Sequence, residues 1–232
     1  MRKSAHEIEL MTLANHATVD CFRAVFASLR EGLTQSEVSA MVSGGFRRMG
    51  LGGGGLVLFG EWAALPHGTT KPQQLKPGDG VLIDAGTSVE GYSSDVTRTG
   101  CLGKPSDKLR RAFDAVRKAQ DAALAAAQKG KPCGGVDDAA RAAIVGAGYP
   151  ANYGVLTHRL GHGIGLDGHE WPYLVRGNKL PLEASMTFSN EPGIYVKGDY
   201  GLRCEDIMVI EENGPARLLT PAFAPSIENP CG

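Results

Sequence analysis

The feature that most constrains the fold is an internal repeat of a strand that ends on a carboxylate. The same spacing occurs twice, in Leu75, Asp84 and Gly86 and again in Leu182, Glu191 and Gly193. A long helical pattern, a glycine and a shorter helical pattern precede each copy. The repeat predicts two similar α+β halves, about residues 1–100 and 101–232, that form one curved, mainly antiparallel sheet with helices on its outer face.

Capping boxes indicate where the helices of the first half begin. Ser4 with Glu7, and Thr34 with Glu37, have the spacing at which the two side chains satisfy amide donors at a helix start. Apolar residues at steps of three and four follow the first box. We expect four helices in all, at about residues 4–31, 34–47, 106–129 and 136–147.

A glycine-rich segment, Gly50–Leu56, separates the second helix from the first extended residues, Val57–Phe59. So many glycines are too flexible for a helix interior, and the segment lacks the Lys-Ser/Thr ending of a phosphate-binding loop. We therefore predict a loop here.

The strand that ends at Asp84 is followed by a second extended segment, Tyr92–Thr99. A turn around Val89–Glu90 would place Asp84 opposite Asp95, with their Cβ atoms about 5 Å apart. Two facing carboxylates repel each other unless a proton or a metal lies between them.

A histidine-rich stretch lies between the two carboxylate strands and supplies an imidazole. The candidate set of ligands contains four carboxylates and one histidine: Asp84, Asp95, His162, Glu191 and Glu205. Without cations, buried carboxylates in such a set would shift their pKa values and become neutral. Two divalent metals would relieve the repulsion, and this oxygen-rich set suits manganese first, then cobalt or zinc. Such a metal pair can activate a bridging water and polarise a carbonyl, which is hydrolase chemistry.

Taken singly, these histidines carry little functional signal. His162 between glycines would more often be a turn residue than a ligand, and an isolated loop histidine such as His67 usually has no role. The clustering with four carboxylates reverses that reading. His67, His158 and His169 then become candidate proton donors or hydrogen-bond donors to a developing oxyanion.

The motifs together resemble those of the pita-bread metallopeptidases, and more narrowly of the prolidase and aminopeptidase P branch. They are Ile83–Gly86, Gly91–Thr99, His158–Gly165, His169–Glu170, Glu191–Tyr195 and Arg203–Asp206. The resemblance covers nearly the whole chain, and the five ligand positions occur in the order of the family. It implies the pita-bread fold.

The resemblance also implies a role for each site residue. Asp84 would bind one metal, His162 and Glu191 the other, and Asp95 and Glu205 would bridge the two. Glu191 would serve as general base for a metal-bridging hydroxide. The remaining candidates are implied to act on the substrate side or on the ligands: His158 and His169 steady the tetrahedral intermediate, His67 contacts the substrate or shuttles a proton, and Arg203 orients ligand carboxylates.

The function implied by this branch is cleavage of the bond before proline, with Xaa-Pro dipeptides as substrates. An alternative within the class is an aminopeptidase P that acts on longer Xaa-Pro peptides. A metal-free creatinase-type hydrolase is disfavoured because every metal ligand is present. A catalytically silent binding module on the same scaffold would be marked by lost ligands and basic insertions, and the sequence has neither.

Composition and net charge limit the classes of molecule that the chain is expected to bind. The net charge is −1, so no basic field favours nucleic acid or an anionic membrane. No segment has the apolar length of a membrane span or the form of a signal peptide, which predicts a cytoplasmic protein with reduced thiols at its five cysteines. The resemblance implies a homodimer and an N-terminal domain that this chain, expected to be the catalytic domain alone, does not contain.

Overall fold

The structure, a computed structural model, describes residues 1–232. Helix α1 spans Ala5–Ala27 and helix α2 spans Gln35–Arg48. The side chains of Ser4 and Thr34 each accept a hydrogen bond from the third backbone N–H of their helix, and the glutamate at that position binds back. Both predicted capping boxes are confirmed.

The second half repeats this helix pair. Helix α3 spans Asp107–Ala126 with Ser106 as its N-cap, and helix α4 spans Cys133–Gly146. The two helices pack against each other and form the larger hydrophobic core with the second sheet, while α1 and α2 build a separate core on the first. None of the four helices combines the length and the apolarity that a bilayer crossing would need.

The strands of each half pair antiparallel. In the first half they are β1 (Gly53–Phe59), β2 (Gly80–Val89), β3 (Tyr92–Ser93) and β4 (Val96–Cys101). In the second half they are β5 (Gly161–Gly163), β6 (Glu170–Leu174), β7 (Thr187–Asn190), β8 (Gly193–Val196), β9 (Tyr200–Arg203), β10 (Asp206–Val209) and β11 (Arg217–Leu218). The order β1-β2-β4 in the first sheet has its counterpart in the order β5-β7-β10 of the second. This correspondence is what the repeat in the sequence leads one to expect.

The sheets of the two halves meet edge to edge at an isolated β-bridge between Thr97 and Glu205. The N–H of Glu205 donates to the carbonyl oxygen of Thr97 at 3.0 Å. The curved sheet is thus a four-stranded and a five-stranded ladder joined at this point, while β8 and β9 form a separate hairpin. Because the carboxylate-bearing strands of both halves lie beside the bridge, their side chains converge there.

The glycine-rich segment is partly extended, so the loop prediction for Gly50–Leu56 is wrong from Gly53 onward. The reason is packing. A Cβ atom on Gly55 would lie 2.2 Å from the carbonyl oxygen of Asp84, and one on Gly53 would lie 2.7 Å from the ring of Phe46. These glycines allow β1 to fit closely between β2 and α2, rather than providing flexibility.

The hairpin register also differs from the prediction. The turn is centred on Glu90–Gly91, both with positive φ, and Asp84 faces Thr97 rather than Asp95. Moving the turn by one residue moves the register by two, which leaves both carboxylates on the same face. Asp84 and Asp95 are therefore diagonal neighbours, at a separation that side chains can still span.

Candidate metal centre

One cavity of about 660 Å³, at the junction of the two halves, is lined by all nine residues that the sequence predicts for the site. They are His67, Asp84, Asp95, His158, His162, His169, Glu191, Arg203 and Glu205. A second cavity of about 680 Å³ lies beside α3 and contains none of them. The predicted residues therefore form one constellation.

The four carboxylates reach the cavity from the ends or edges of strands. Asp84 lies within β2, Asp95 directly precedes β4, Glu191 directly follows β7 and Glu205 directly precedes β10. Ligand atoms of Asp95, Glu205 and His162 all lie within 4.8 Å of one another. Side chains this close can share one or two cations.

His162 presents a free ring nitrogen to these carboxylates. Its Nδ1 lies 3.0 Å from the carbonyl oxygen of Gly163, which can only accept, so Nδ1 carries the proton and Nε2 keeps its lone pair. That Nε2 is 3.3 Å from Glu191 Oε1 and 3.6 Å from Asp95 Oδ2. Burial lowers the pKa of His162 to about 3. The imidazole is neutral near pH 7, as metal ligation requires.

Ser189 on β7 ties His162 to Glu191. Its hydroxyl accepts a hydrogen bond from the backbone N–H of His162 at 2.9 Å and donates to Glu191 Oε1 at 3.0 Å. The strands approach this closely because residue 161 is glycine: a Cβ there would lie 2.1 Å from the Ser189 carbonyl oxygen. The glycines of the histidine motif thus set the distance between the imidazole and the carboxylate.

Burial and mutual repulsion disfavour ionisation of the carboxylates. Burial, followed by the charges of Asp84 and Glu191, holds the pKa of Asp95 well above its usual range. Burial and the neighbouring carboxylates, Asp95 first, do the same to the pKa of Glu205. Burial raises the pKa of Glu191 to about 7, against the opposing charge of Arg203. The cavity therefore holds more negative charge than the protein itself neutralises.

Arg203, at the end of β9, is the buried cation of the site, with 5% of its side chain exposed. Its guanidinium pairs with Asp84 through Nη2, donates from Nε to Thr97 Oγ1 at 3.0 Å and lies 3.7 Å from Glu205 Oε2. The Thr97 hydroxyl in turn donates to Glu205 Oε2 at 2.6 Å. This network contacts two of the carboxylates, Asp84 and Glu205.

The three other histidines occupy different depths of the cavity. His158 is half-buried, and its Nε2 accepts from the hydroxyl of Tyr195 at 2.8 Å because its Nδ1 donates to the Arg159 carbonyl at 2.7 Å. The exposed ring of His169 lies 3.9 Å, centroid to centroid, from that of His162. His67 is exposed on the loop that follows a short 3₁₀ helix, Gly60–Ala64. All three face the space beside the carboxylates.

The donor set fits divalent metal ions. Four hard carboxylate groups and one neutral imidazole nitrogen converge on a region where the raised pKa values of three carboxyl groups indicate unmet negative charge. Manganese, cobalt and zinc accept such oxygen-rich ligation with one imidazole.

Other residues of the cavity were not predicted from the sequence. They are Leu56, Pro66, Arg159, Tyr173 and Val175, which line the cavity, and Tyr195, whose hydroxyl also accepts from Arg203 Nη1 at 3.1 Å. Trp171 on β6 is 56% exposed and does not line the cavity.

Comparison with known proteins identifies the family. A sequence profile described as metallopeptidase family M24 matches residues 9–212. The chain is 37% identical over 216 residues to an Xaa-Pro dipeptidase of Lactobacillus delbrueckii, covering 91% of this chain and 58% of that protein. It therefore spans less than two thirds of the length of that relative.

Solved structures show the same fold. The X-Pro aminopeptidase of Thermotoga maritima superposes with a TM-score of 0.90 at 35% identity, over 96% of this chain and 63% of the other. Prolidase of Pyrococcus furiosus gives 0.88 at 34% identity, over 95% of this chain and 65% of the other. The pita-bread fold and its prolidase and aminopeptidase P branch are confirmed, and the chain belongs to metallopeptidase family M24.

Proposed function

We propose that this chain is the catalytic domain, with pseudo-repeat halves of about residues 1–100 and 101–232, of an Xaa-Pro dipeptidase. It would hydrolyse the peptide bond preceding proline with two divalent metal ions, of which manganese suits the ligands best. The observation that carries the proposal is the convergence of four carboxylates and the neutral His162 in one cavity.

We assign the metal ligands as the sequence predicts: Asp84, Asp95, His162, Glu191 and Glu205. The ions would polarise the scissile carbonyl and lower the pKa of an attacking water. Arg203 and Thr97 hold the carboxylates in place through the hydrogen bonds described above.

Glu191 would act as the general base. Its Oε1 accepts from Ser189, whereas Oε2 accepts no hydrogen bond from the chain and has His158 Nδ1 at 3.9 Å as its neighbour. Oε2 is thus available to take a proton from the attacking water and pass it to the proline nitrogen, which needs a proton to leave as an amine.

The histidines would stabilise the reacting carbonyl. Burial and the charge of Arg159 lower the pKa of His169, so its neutral ring can offer an N–H near pH 7. His158 is held by Tyr195 beside Glu191, and His67 faces them from the loop after the 3₁₀ helix. These positions support substrate-side roles for His158 and His169, and contact with the substrate or proton transfer for His67.

The cavity wall supports selection of proline. An Xaa-Pro bond has no N–H, so the ring itself must be recognised by shape and apolar contact. Leu56, Pro66, Tyr173 and Val175 provide apolar surface in an otherwise charged site. We infer that the proline ring packs there.

An aminopeptidase P acting on longer Xaa-Pro peptides is a second candidate, favoured by the likeness to the Thermotoga X-Pro aminopeptidase. The homodimer and the cytoplasmic location stay predictions of the sequence.

The test is a hydrolysis assay of the chain, stripped with a chelator and reloaded with Mn²⁺, Co²⁺ or Zn²⁺. Gly-Pro and Ala-Pro should be cleaved, Ala-Gly should not, and Ala-Pro-Ala separates dipeptidase from aminopeptidase P. Asp95→Ala should lose metal and activity together, while Asp199→Ala, on the surface beside α3, should retain both.

Metal uptake without hydrolysis of any peptide would favour a silent binding module over an enzyme. Full metal occupancy and turnover in Asp95→Ala would contradict the bridging role of that carboxylate.

A further inference from the structure

Two arginines line the cavity, and their surroundings differ. Arg203 is buried and engaged by Asp84, Thr97 and Tyr195. The half-buried guanidinium of Arg159 forms no hydrogen bond and no ion pair with any residue of the chain. Five N–H donors on a fixed cation therefore remain available inside the substrate cavity.

Arg159 is held in place by stacking. Its guanidinium carbon lies 4.2 Å from the centroid of the Tyr173 ring, and Tyr173 pairs with His162 in the β5–β6 ladder. The carbonyl of Arg159 accepts from His158 Nδ1, which fixes the backbone at the same point. A planar cation stacked on a strand residue is positioned more firmly than one on a free side chain.

The charge of Arg159 extends over the reacting groups. Its side chain lines the same cavity as His169 and the four carboxylates. Yet the carboxylates of the metal centre do not pair with it, although Arg203 pairs with one of them. Its natural partner is therefore an anion that enters the cavity from outside.

A dipeptide supplies such an anion next to the apolar wall. In Xaa-Pro the free carboxylate is attached to the proline ring. Arg159 stacks on Tyr173, which lines the cavity together with Val175. The guanidinium fork matches a carboxylate with two parallel hydrogen bonds. A longer peptide has a neutral amide at that position, which cannot accept such a charged pair.

We propose that Arg159 binds the C-terminal carboxylate of an Xaa-Pro dipeptide and thereby selects dipeptides over longer Xaa-Pro peptides. The inference rests on the proposed function, which it deepens by naming the residue that recognises the free carboxylate. Arg159 is a specificity residue in this proposal and takes no part in proton transfer.

The kinetic test compares Ala-Pro with its C-terminal amide and with Ala-Pro-Ala. For Ala-Pro, Arg159→Gln should raise KM and lower kcat/KM roughly 10- to 100-fold, the usual value of a hydrogen bond to a charged group. Hydrolysis of the amide should change little. Arg159→Lys should give an intermediate loss because it keeps the charge without the fork. Arg217→Gln, at an exposed ion pair on β11, is the matched control and should behave like the unaltered chain.

A binding test separates this proposal from the proposed function. In an NMR titration, L-proline should bind the unaltered chain more tightly than L-prolinamide, and Arg159→Gln should remove that preference. If no peptide is hydrolysed but the preference and its loss are observed, the carboxylate site stands and the enzymatic function fails.

Three results would overturn the role of Arg159. The first is an equal loss of activity towards Ala-Pro and its amide, which would indicate a merely structural contact with Tyr173. The second is an unchanged KM for Ala-Pro in Arg159→Gln. The third is the absence of any preference for L-proline over L-prolinamide in the unaltered chain.

Discussion

The two faces of the junction between β4 and β10 bury charge in opposite ways. Successive residues of a strand point to opposite faces, so Thr97 and Glu205 face the cavity while Arg98 and Asp206 face the core behind it. On the core face, Arg98 Nη2 lies 2.6 Å from Asp206 Oδ1, with 1% and 0% of the two side chains exposed. On the cavity face, carboxylates outnumber their cations.

On the core face, the Arg98–Asp206 ion pair has hydrogen-bond partners for most of its polar atoms. Asp206 also accepts from Gln120 at 2.9 Å and from Thr220 at 2.7 Å, and Arg98 donates to the carbonyl oxygens of Glu205 and Ala222. A buried ion pair needs such partners to offset its desolvation. This face joins the halves and leaves no charge available for a ligand.

The cavity face lacks that balance. Asp95, Glu191 and Glu205 all have raised pKa values, with burial as the largest cause, and Arg203 is the only fully buried cation among them. Burial of charged side chains therefore does not by itself mark a functional site. The informative feature is the excess of negative charge on the cavity face, which lies one residue along each strand from the balanced Arg98–Asp206 pair.

Removal of the balancing cation should have the largest effect. Arg98→Met should lower the free energy of unfolding of the chain by about 3–5 kcal/mol, because Asp206 would stay buried without its partner. Urea denaturation followed by circular dichroism measures this, and Arg98→Lys should lose less. The control Arg217→Met breaks an exposed pair with Glu211 and should cost less than about 1 kcal/mol. Equal losses in the two methionine variants would contradict the contrast.

Addition of a cation to the unbalanced face should have the next largest effect. At a Mn²⁺ concentration about 100 times its dissociation constant, binding to the folded state raises the free energy of unfolding by about 2.7 kcal/mol. Denaturation of the chelator-treated chain with and without Mn²⁺ measures this. Asp95→Ala should show little of the gain, and an equal gain in that variant would place the metal elsewhere.

Much of the fold was predictable because its signals are local. Both capping boxes and the four helices follow from residues within a few positions of one another. Only the Gly53–Leu56 part of β1 was missed, since Val57–Phe59 was predicted to be extended. The glycines of that part are required by close packing against β2 and α2, which the local sequence does not reveal. The hairpin register was wrong because the turn chemistry at Glu90–Gly91 was not recognised.

The residues of the site also fall into a predictable group and a group that was missed. The nine predicted residues could be named from the sequence because each carries a chemically informative side chain and lies in or beside a recognisable motif. Asp84 and Glu191 also occupy equivalent positions of the internal repeat. Tyr195 and Tyr173 were missed because an aromatic residue has no such signal until its neighbours in space are known. Tyr195 contacts His158 and Arg203, and the ring of Tyr173 stacks against Arg159.

The metal-free chain should lose stability as pH rises above neutrality. A carboxyl group whose folded-state pKa is raised contributes stability below its unfolded pKa, and this is lost as pH rises through the folded value. The lowered pKa values of His158 and His162 act in the opposite direction, because these groups bind protons only in the unfolded chain. Their contribution fades as pH rises above their ordinary value of about 6.5, so the carboxyl groups set the sign of the slope between pH 6.5 and 7.5.

We expect a fall of about 1–3 kcal/mol over that pH unit, because each group that keeps its proton only in the folded state contributes about 1.4 kcal/mol. Denaturation at a series of pH values in chelator measures the slope, and saturating Mn²⁺ should flatten it. If the free energy of unfolding did not change with pH in the absence of metal, the folded state would not disfavour ionisation of Asp95, Glu191 and Glu205.

The smallest expected effect separates the two faces most clearly. An Asp→Asn substitution should raise the free energy of unfolding on the cavity face and lower it on the core face. Asp95→Asn removes a carboxylate from the unbalanced set, whose ionisation the folded state disfavours, and should raise the free energy of unfolding of the metal-free chain at pH 7.5. The gain should be about 0.5–2 kcal/mol, as is usual when one unfavourable charge is removed. Asp206→Asn removes one from the balanced pair and should lower it, because Arg98 keeps its buried charge. Parallel urea denaturation in chelator compares the two. Asp95→Asn should at the same time lose the stabilisation by Mn²⁺, since a residue that destabilises the empty site is the one that the cation requires. If both variants were destabilised alike, the carboxylates of the cavity would be as well satisfied as those of the core, and the electrostatic argument for a metal centre would fail.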